Sequence, residues 1–113
     1  MKLAIKITTT GEMSELDITN DDTALATLQG AVGGWIQAID LSDTMSLIMN
    51  EEGKLVGLPH NPYAQRFWDE AFGAYTDFIV GDVVITGTPD SEGYTQGLDD
   101  NTVRRIRELV VAS

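Results

Sequence analysis

Cysteine is absent from the 113 residues. Disulfides, thiol nucleophiles and cysteine-ligated zinc are therefore excluded, and a reducing, cytoplasmic setting is expected. Histidine occurs once, as His60. A Ser-His-Asp triad would have to use it, but no Gly-x-Ser-x-Gly elbow accompanies it, and imidazole-based metal sites generally need more than one ring. A lone histidine between Pro59 and Asn61 reads first as a loop residue and only second as a general base. Basic residues are scarce too: 7 against 18 acids, a formal net charge of −11. Such a surface repels nucleic acid and anionic membranes and favours basic partners. Because the acids are scattered, solubility is their plainest role. Competing with DNA for a basic protein groove is the functional alternative.

Long apolar runs are also missing. The longest, residues 78–88, is interrupted by Asp82 and falls short of the roughly 18–20 residues that span a bilayer. The opening Met1-Lys2-Leu3-Ala4-Ile5-Lys6-Ile7 is too short and too charged for a secretory core, so no leader is expected. Neither an internal repeat nor a linker interrupts the chain, and one domain is expected over residues 1–113. With 42% hydrophobic residues, including Trp35, Phe67, Trp68, Phe72 and Phe78, a packed core is within reach.

Period-two alternation predicts strands at 2–8, 15–18, 35–41 and 45–49, and a return strand at 54–56. The apolar stretch 78–87 reads as the centre of the sheet. Thr19 or Asn20 is positioned to cap a helix with Leu25, Leu28 and Val32 on its stripe. Asn61 followed by Pro62 starts a second helix, with Ala64, Phe67, Trp68 and Ala71 inward. Asp99 or Asp100 starts a third, with Val103, Ile106, Leu109 and Val110 inward. The expected fold is α+β: a mostly antiparallel sheet of five to six strands with about three helices packed on it.

The densest stretch of special backbone residues is Asn50-Glu51-Glu52-Gly53-Lys54 followed by Gly57-Leu58-Pro59-His60-Asn61-Pro62-Tyr63. Turn formers alternate there with charged and titratable side chains, which suits a shaped surface. Candidate binding residues are Asn50, Glu51, Glu52, Lys54, Pro59, His60, Asn61, Tyr63 and Asp82. No catalytic residue, metal ligand or cofactor is expected. Glu51 and Glu52, being adjacent, point apart in an extended segment and make a poor catalytic pair. Asp82 sits in an apolar strand, where a Gly81-Asp82 bulge is expected to give its carboxylate backbone N–H groups or a cation such as Lys54. The role of a catalytic acid is the alternative.

Other motifs read as structure. Gly30, Gly33 and Gly34 stand at a helix end, where a cap is expected rather than a phosphate cradle. Asp90-Ser91-Glu92-Gly93 lacks the closing glutamate of a calcium loop. Arg104, Arg105 and Arg107 have no interleaved aromatics and are expected to pair with local carboxylates.

From about Val32 to Gly97 the chain resembles domain-of-unknown-function family 3846, small proteins of actinobacterial phages and plasmids. The resemblance rests on Gly33-Gly34-Trp35-Ile36, Asn50-Glu51-Glu52-Gly53-Lys54, Leu58-Pro59 with Asn61, Ala64, and Val80-Gly81-Asp82-Val83. It implies an accessory protein of a mobile element in a bacterial cytoplasm and brings no assigned activity. The leading expectation is a non-enzymatic protein that binds and modulates a host protein through residues 50–63, as a DNA mimic or anti-defence inhibitor where the target is basic. A sequesterer of a signalling nucleotide, with Lys54, Arg66 or the C-terminal arginines on phosphate, is the second. A hydrolase built on Asp82 or Glu51 and a metal is the third. Homodimerisation through an open sheet edge is also compatible with the chain.

Overall fold

The computed structural model describes residues 1–112. Five strands and three helices follow in the order β1 (Leu3–Ile7), β2 (Met13–Asp17), α1 (Asp21–Val32), β3 (Ile36–Asp40), β4 (Ser46–Asn50), α2 (Pro62–Phe72), β5 (Val83–Thr86) and α3 (Asp100–Val111). The strands form one antiparallel sheet in the order β2-β1-β5-β4-β3. Two hairpins, β1–β2 and β3–β4, thus flank a central strand contributed late in the chain. The architecture is α+β.

Alternation along the strands sends one set of side chains to each face. Ile5, Ile7, Leu47, Met49, Val83 and Ile85 pack with Ala64, Phe67 and Trp68 of α2 and Ile106 and Val110 of α3. Ala4, Ile48 and Val84 pack with Ala24, Leu28 and Val32 of α1 on the other face. With helices on both sides, all four residues of β5 are buried. That double burial explains why its sequence reads as a continuous apolar run instead of alternating.

Local chemistry sets the helix ends. The Asn20 side chain accepts the Asp22 N–H, and Gly33 closes α1 with φ +81°. Asn61 caps α2 with Pro62 in its first turn, and Asp99 caps α3 through the Thr102 N–H.

Three expectations change. The apolar stripe of α1 runs Ala24, Leu28, Val32, an i, i+4, i+8 row, while Leu25 is turned outward and Ala71 of α2 is likewise exposed. Residues 54–56 are not a strand. β4 already has β3 on one edge and β5 on the other, so β4 has no free edge for a returning strand. The chain coils instead, with the Val56 N–H on Glu52 O and the Leu58 N–H on Gly53 O. Finally, the 78–87 strand is cut to Val83–Thr86. Gly81 at φ +77° redirects the chain, and residues 79–81 pair with 59–61 through Asn61 N–H to Ile79 O, Gly81 N–H to Pro59 O and a His60–Val80 bridge.

Candidate functional site

The break at Gly81 creates the site. Two segments meet beside the end of β4: the coil 51–60 and the loop 73–80 that follows α2. Asn61, fully buried, locks them to the sheet. Its Nδ2 donates to Ile7 O at 3.2 Å and Gly81 O at 2.9 Å, while its Oδ1 accepts the Ala64 N–H at 3.0 Å. One side chain therefore caps α2, holds the end of β1 and fixes the turn before β5. The loop is pinned from below by Trp68, whose indole N–H donates to Thr76 Oγ1, which in turn donates to Gly73 O. Gln65 ties the loop to α2, with Nε2 donating to Asp77 O at 2.8 Å and to Asp69 Oδ1 at 3.0 Å.

That arrangement fixes the tautomer of His60. The two donations identify Gln65 Oε1 as the acceptor atom, and it already takes the Ile79 N–H at 2.8 Å. His60 Nε2, 3.0 Å from the same oxygen, must therefore carry the proton. The imidazole meets an amide and, nearly perpendicular to it, the ring of Phe78 at a ring separation of 6.4 Å. The histidine is thereby oriented as part of the wall between two hollows.

Two adjoining hollows result. The larger, about 470 Å³, is lined by Lys54, Leu58, His60, Phe78 and Val80. The second, about 260 Å³, is lined by His60, Gln65, Asp69, Ala74, Tyr75, Asp77 and Phe78. The two segments also carry large side chains that folding leaves in water: Leu55 at 87% exposure, Val56 at 62%, Tyr75 at 96% and Phe78 at 66%. Lys54 bonds Asp77 across the junction and joins the coil to the loop.

The Lys54 ammonium lowers the pKa of the Asp77 carboxyl, assisted by the Phe78 N–H and opposed by partial desolvation. A depressed folded-state pKa contributes stability that is present above the unfolded carboxylate value, about pH 4, and lost as pH falls through the folded one. For so exposed a pair the contribution is about 0.5 kcal/mol after solvent screening. Asp77→Asn is therefore expected to melt slightly below the native chain at pH 7, with the two melting temperatures converging as pH falls below the ordinary carboxylate range. A gap that persists in acid would contradict the assignment.

The residues singled out from sequence separate into three groups. Lys54 and His60 line the larger hollow, and Glu51 and Glu52 lie exposed on the coil beside it. Asn50, Asn61 and Tyr63 are structural. Asn50 donates to Val32 O and accepts the Glu52 N–H, and Tyr63 packs over Gly11, where a Cβ would come within 2.6 Å of its ring. Pro59 and Asp82 face a separate depression with Lys6 and Thr9. There the Asp82 carboxylate accepts the Thr9 N–H at 3.1 Å and pairs with Lys6 at 3.7 Å. Its cation is Lys6 and not Lys54, which belongs to Asp77.

Asp90 is occupied within its own loop by the N–H groups of Glu92 and Tyr94, and Arg107 pairs with Glu15. Among the described residues no group of three or more His, Asp or Glu is placed to hold a metal ion, and no helix is long and apolar enough to cross a membrane. Sequence reasoning missed Leu55, Val56, Tyr75, Asp77 and Phe78. The available signal was that Val56 precedes Gly57 and Phe78 follows Asp77, the company of loops.

No curated protein and no solved structure matches the chain. The family model described as domain of unknown function (DUF3846) matches residues 1–111, so β1, β2, α1 and α3 lie inside the match along with the central stretch. The chain belongs to the DUF3846 family.

Proposed function

We propose that this chain is a non-enzymatic binding protein of a phage or plasmid, acting in a bacterial cytoplasm, that docks a host protein on the face formed by residues 51–60 and 73–80. One observation carries the reading: Leu55, Val56, Tyr75 and Phe78 stand exposed on two segments joined by the Lys54–Asp77 pair. Leaving several large apolar side chains together in water costs solubility and gains nothing in folding, and such patches mark interaction surfaces. The net charge of −11 selects for a partner with a basic surface. Inhibition of a DNA-binding host defence protein fits that preference.

The hollow lined by Lys54, His60 and Phe78 favours a second reading, a small anionic ligand such as a signalling nucleotide stacked on Phe78. Lys54 is already bound to Asp77, so phosphate would have to displace an existing pair, and the docking reading leads. A thermal-shift panel separates them, since a nucleotide that binds at 100 times below its working concentration stabilises by about 2.7 kcal/mol.

The docking reading is tested by affinity capture from host lysate with the native chain and with Leu55→Ser/Phe78→Ser. Both side chains are mostly exposed, so melting should move by no more than a few degrees while the captured partner is lost. Undiminished capture by the double variant would contradict the proposal.

A further inference from the structure

The two hollows share His60 and Phe78 as a dividing wall, yet differ in chemistry. The larger has Leu58 and Val80 as its apolar lining. The smaller brings two carboxylates, Asp69 and Asp77, to the side of Phe78, with the exposed Tyr75 at its mouth. We propose that the smaller hollow receives an arginine or lysine side chain of the docked partner, while an apolar side chain of the same partner segment fills the larger one. This rests on the docking reading and adds the partner's chemistry to it.

Cations are held well where ring faces and carboxylates converge, because the ring quadrupole and the formal charge attract the same group. Asp69, on α2, has its Oδ1 taken by the Gln65 amide, which orients the carboxylate without neutralising it. Asp77 is shared with Lys54 at the border of the hollows, so an incoming cation meets one carboxylate that is already compensated and one that is not. Tyr75, 96% exposed, stands at the mouth of the smaller hollow with φ +66°, the single non-glycine residue at positive φ among those described. An acidic segment would meet Asp69, Asp77 and the field of a chain at −11, and is excluded on charge. An apolar segment without a cation would cover Asp69 with no positive charge beside it, which is costly.

Panning a library of short random peptides on the immobilised full chain tests the inference. Enriched peptides should carry arginine or lysine close to leucine, isoleucine or phenylalanine. In the consensus peptide, exchanging that arginine for neutral citrulline should weaken binding about tenfold, and Asp69→Asn should erase most of the difference between the two peptides. Enrichment of peptides without a basic residue, equal binding of arginine and citrulline forms, or no enrichment would each overturn it. The docking reading would survive any of these, because capture lost by Leu55→Ser/Phe78→Ser decides it separately. A consensus reproducing the chain's own residues 103–109, with concentration-dependent dimerisation, would also overturn it, in favour of a second copy as occupant.

Discussion

Asn61→Ala is expected to destabilise the protein by on the order of 3–5 kcal/mol, a large share of the roughly 5–15 kcal/mol typical of a domain. Loss of the α2 cap accounts for about 1 kcal/mol. The carbonyls of Ile7 and Gly81 each lose a donor in a site closed to water, at about 1–3 kcal/mol apiece. For a chain of this size the melting temperature should fall by roughly 15 °C or more. Asn61→Asp is the sharper comparison. It has the same shape and can still accept the Ala64 N–H, but it cannot donate, and it sets an anionic oxygen against two carbonyls. It should be at least as harmful as alanine in urea and thermal unfolding. An aspartate variant of native stability would show that the Nδ2 donations do not hold the junction together.

Gly87→Ala is expected to cost about 3 kcal/mol, at the upper end for overpacking. An added Cβ would lie 2.4 Å from Gly97 O and 3.0 Å from Gln96 O. Those are backbone atoms, and the Gly87 N–H to Gln96 O bond holds them in place. Nor can they retreat, because Gly97 itself sits against β1, where a Cβ would be 2.7 Å from Lys2 Cα. The strand end, the 96–98 segment and the start of β1 are thus packed main chain on main chain. Gly30→Ala supplies the control. It lies within α1 with nothing within 4 Å of an added Cβ, so it should stabilise by about 0.5–1 kcal/mol. Equal effects of the two alanines on the urea midpoint would contradict the close packing at Gly87.

What was readable from sequence was what local chemistry decides. The start of α2 is written in Asn61-Pro62, and the end of α1 in Gly33, because caps are settled within a few residues. The hairpins follow from alternation over short spans. The strand expected at 54–56 failed because pairing slots are a property of the whole sheet, and β4 has none to offer. Phe78 was read as core for a related reason: apolar character predicts burial only where a partner surface exists, and the turn at Gly81 carries Phe78 away from the sheet. Lys54 and His60 drew attention through the turn chemistry around them. Their counterparts Asp77 and Phe78 lie some twenty residues on, and nothing in the spacing links them. Asp82 shows the same limit, since the expected compensation is present, but Lys6 rather than Lys54 supplies the cation.

The most direct measurement of the docking face is site-specific photo-cross-linking in the host. A photoreactive residue is placed at position 55, at position 78, or at Val111 on α3, which is 79% exposed and outside the two segments. The proposal predicts that positions 55 and 78 give one and the same adduct, and that position 111 gives none. Adducts that form at 111 as readily as at 78, or at neither 55 nor 78, would contradict it.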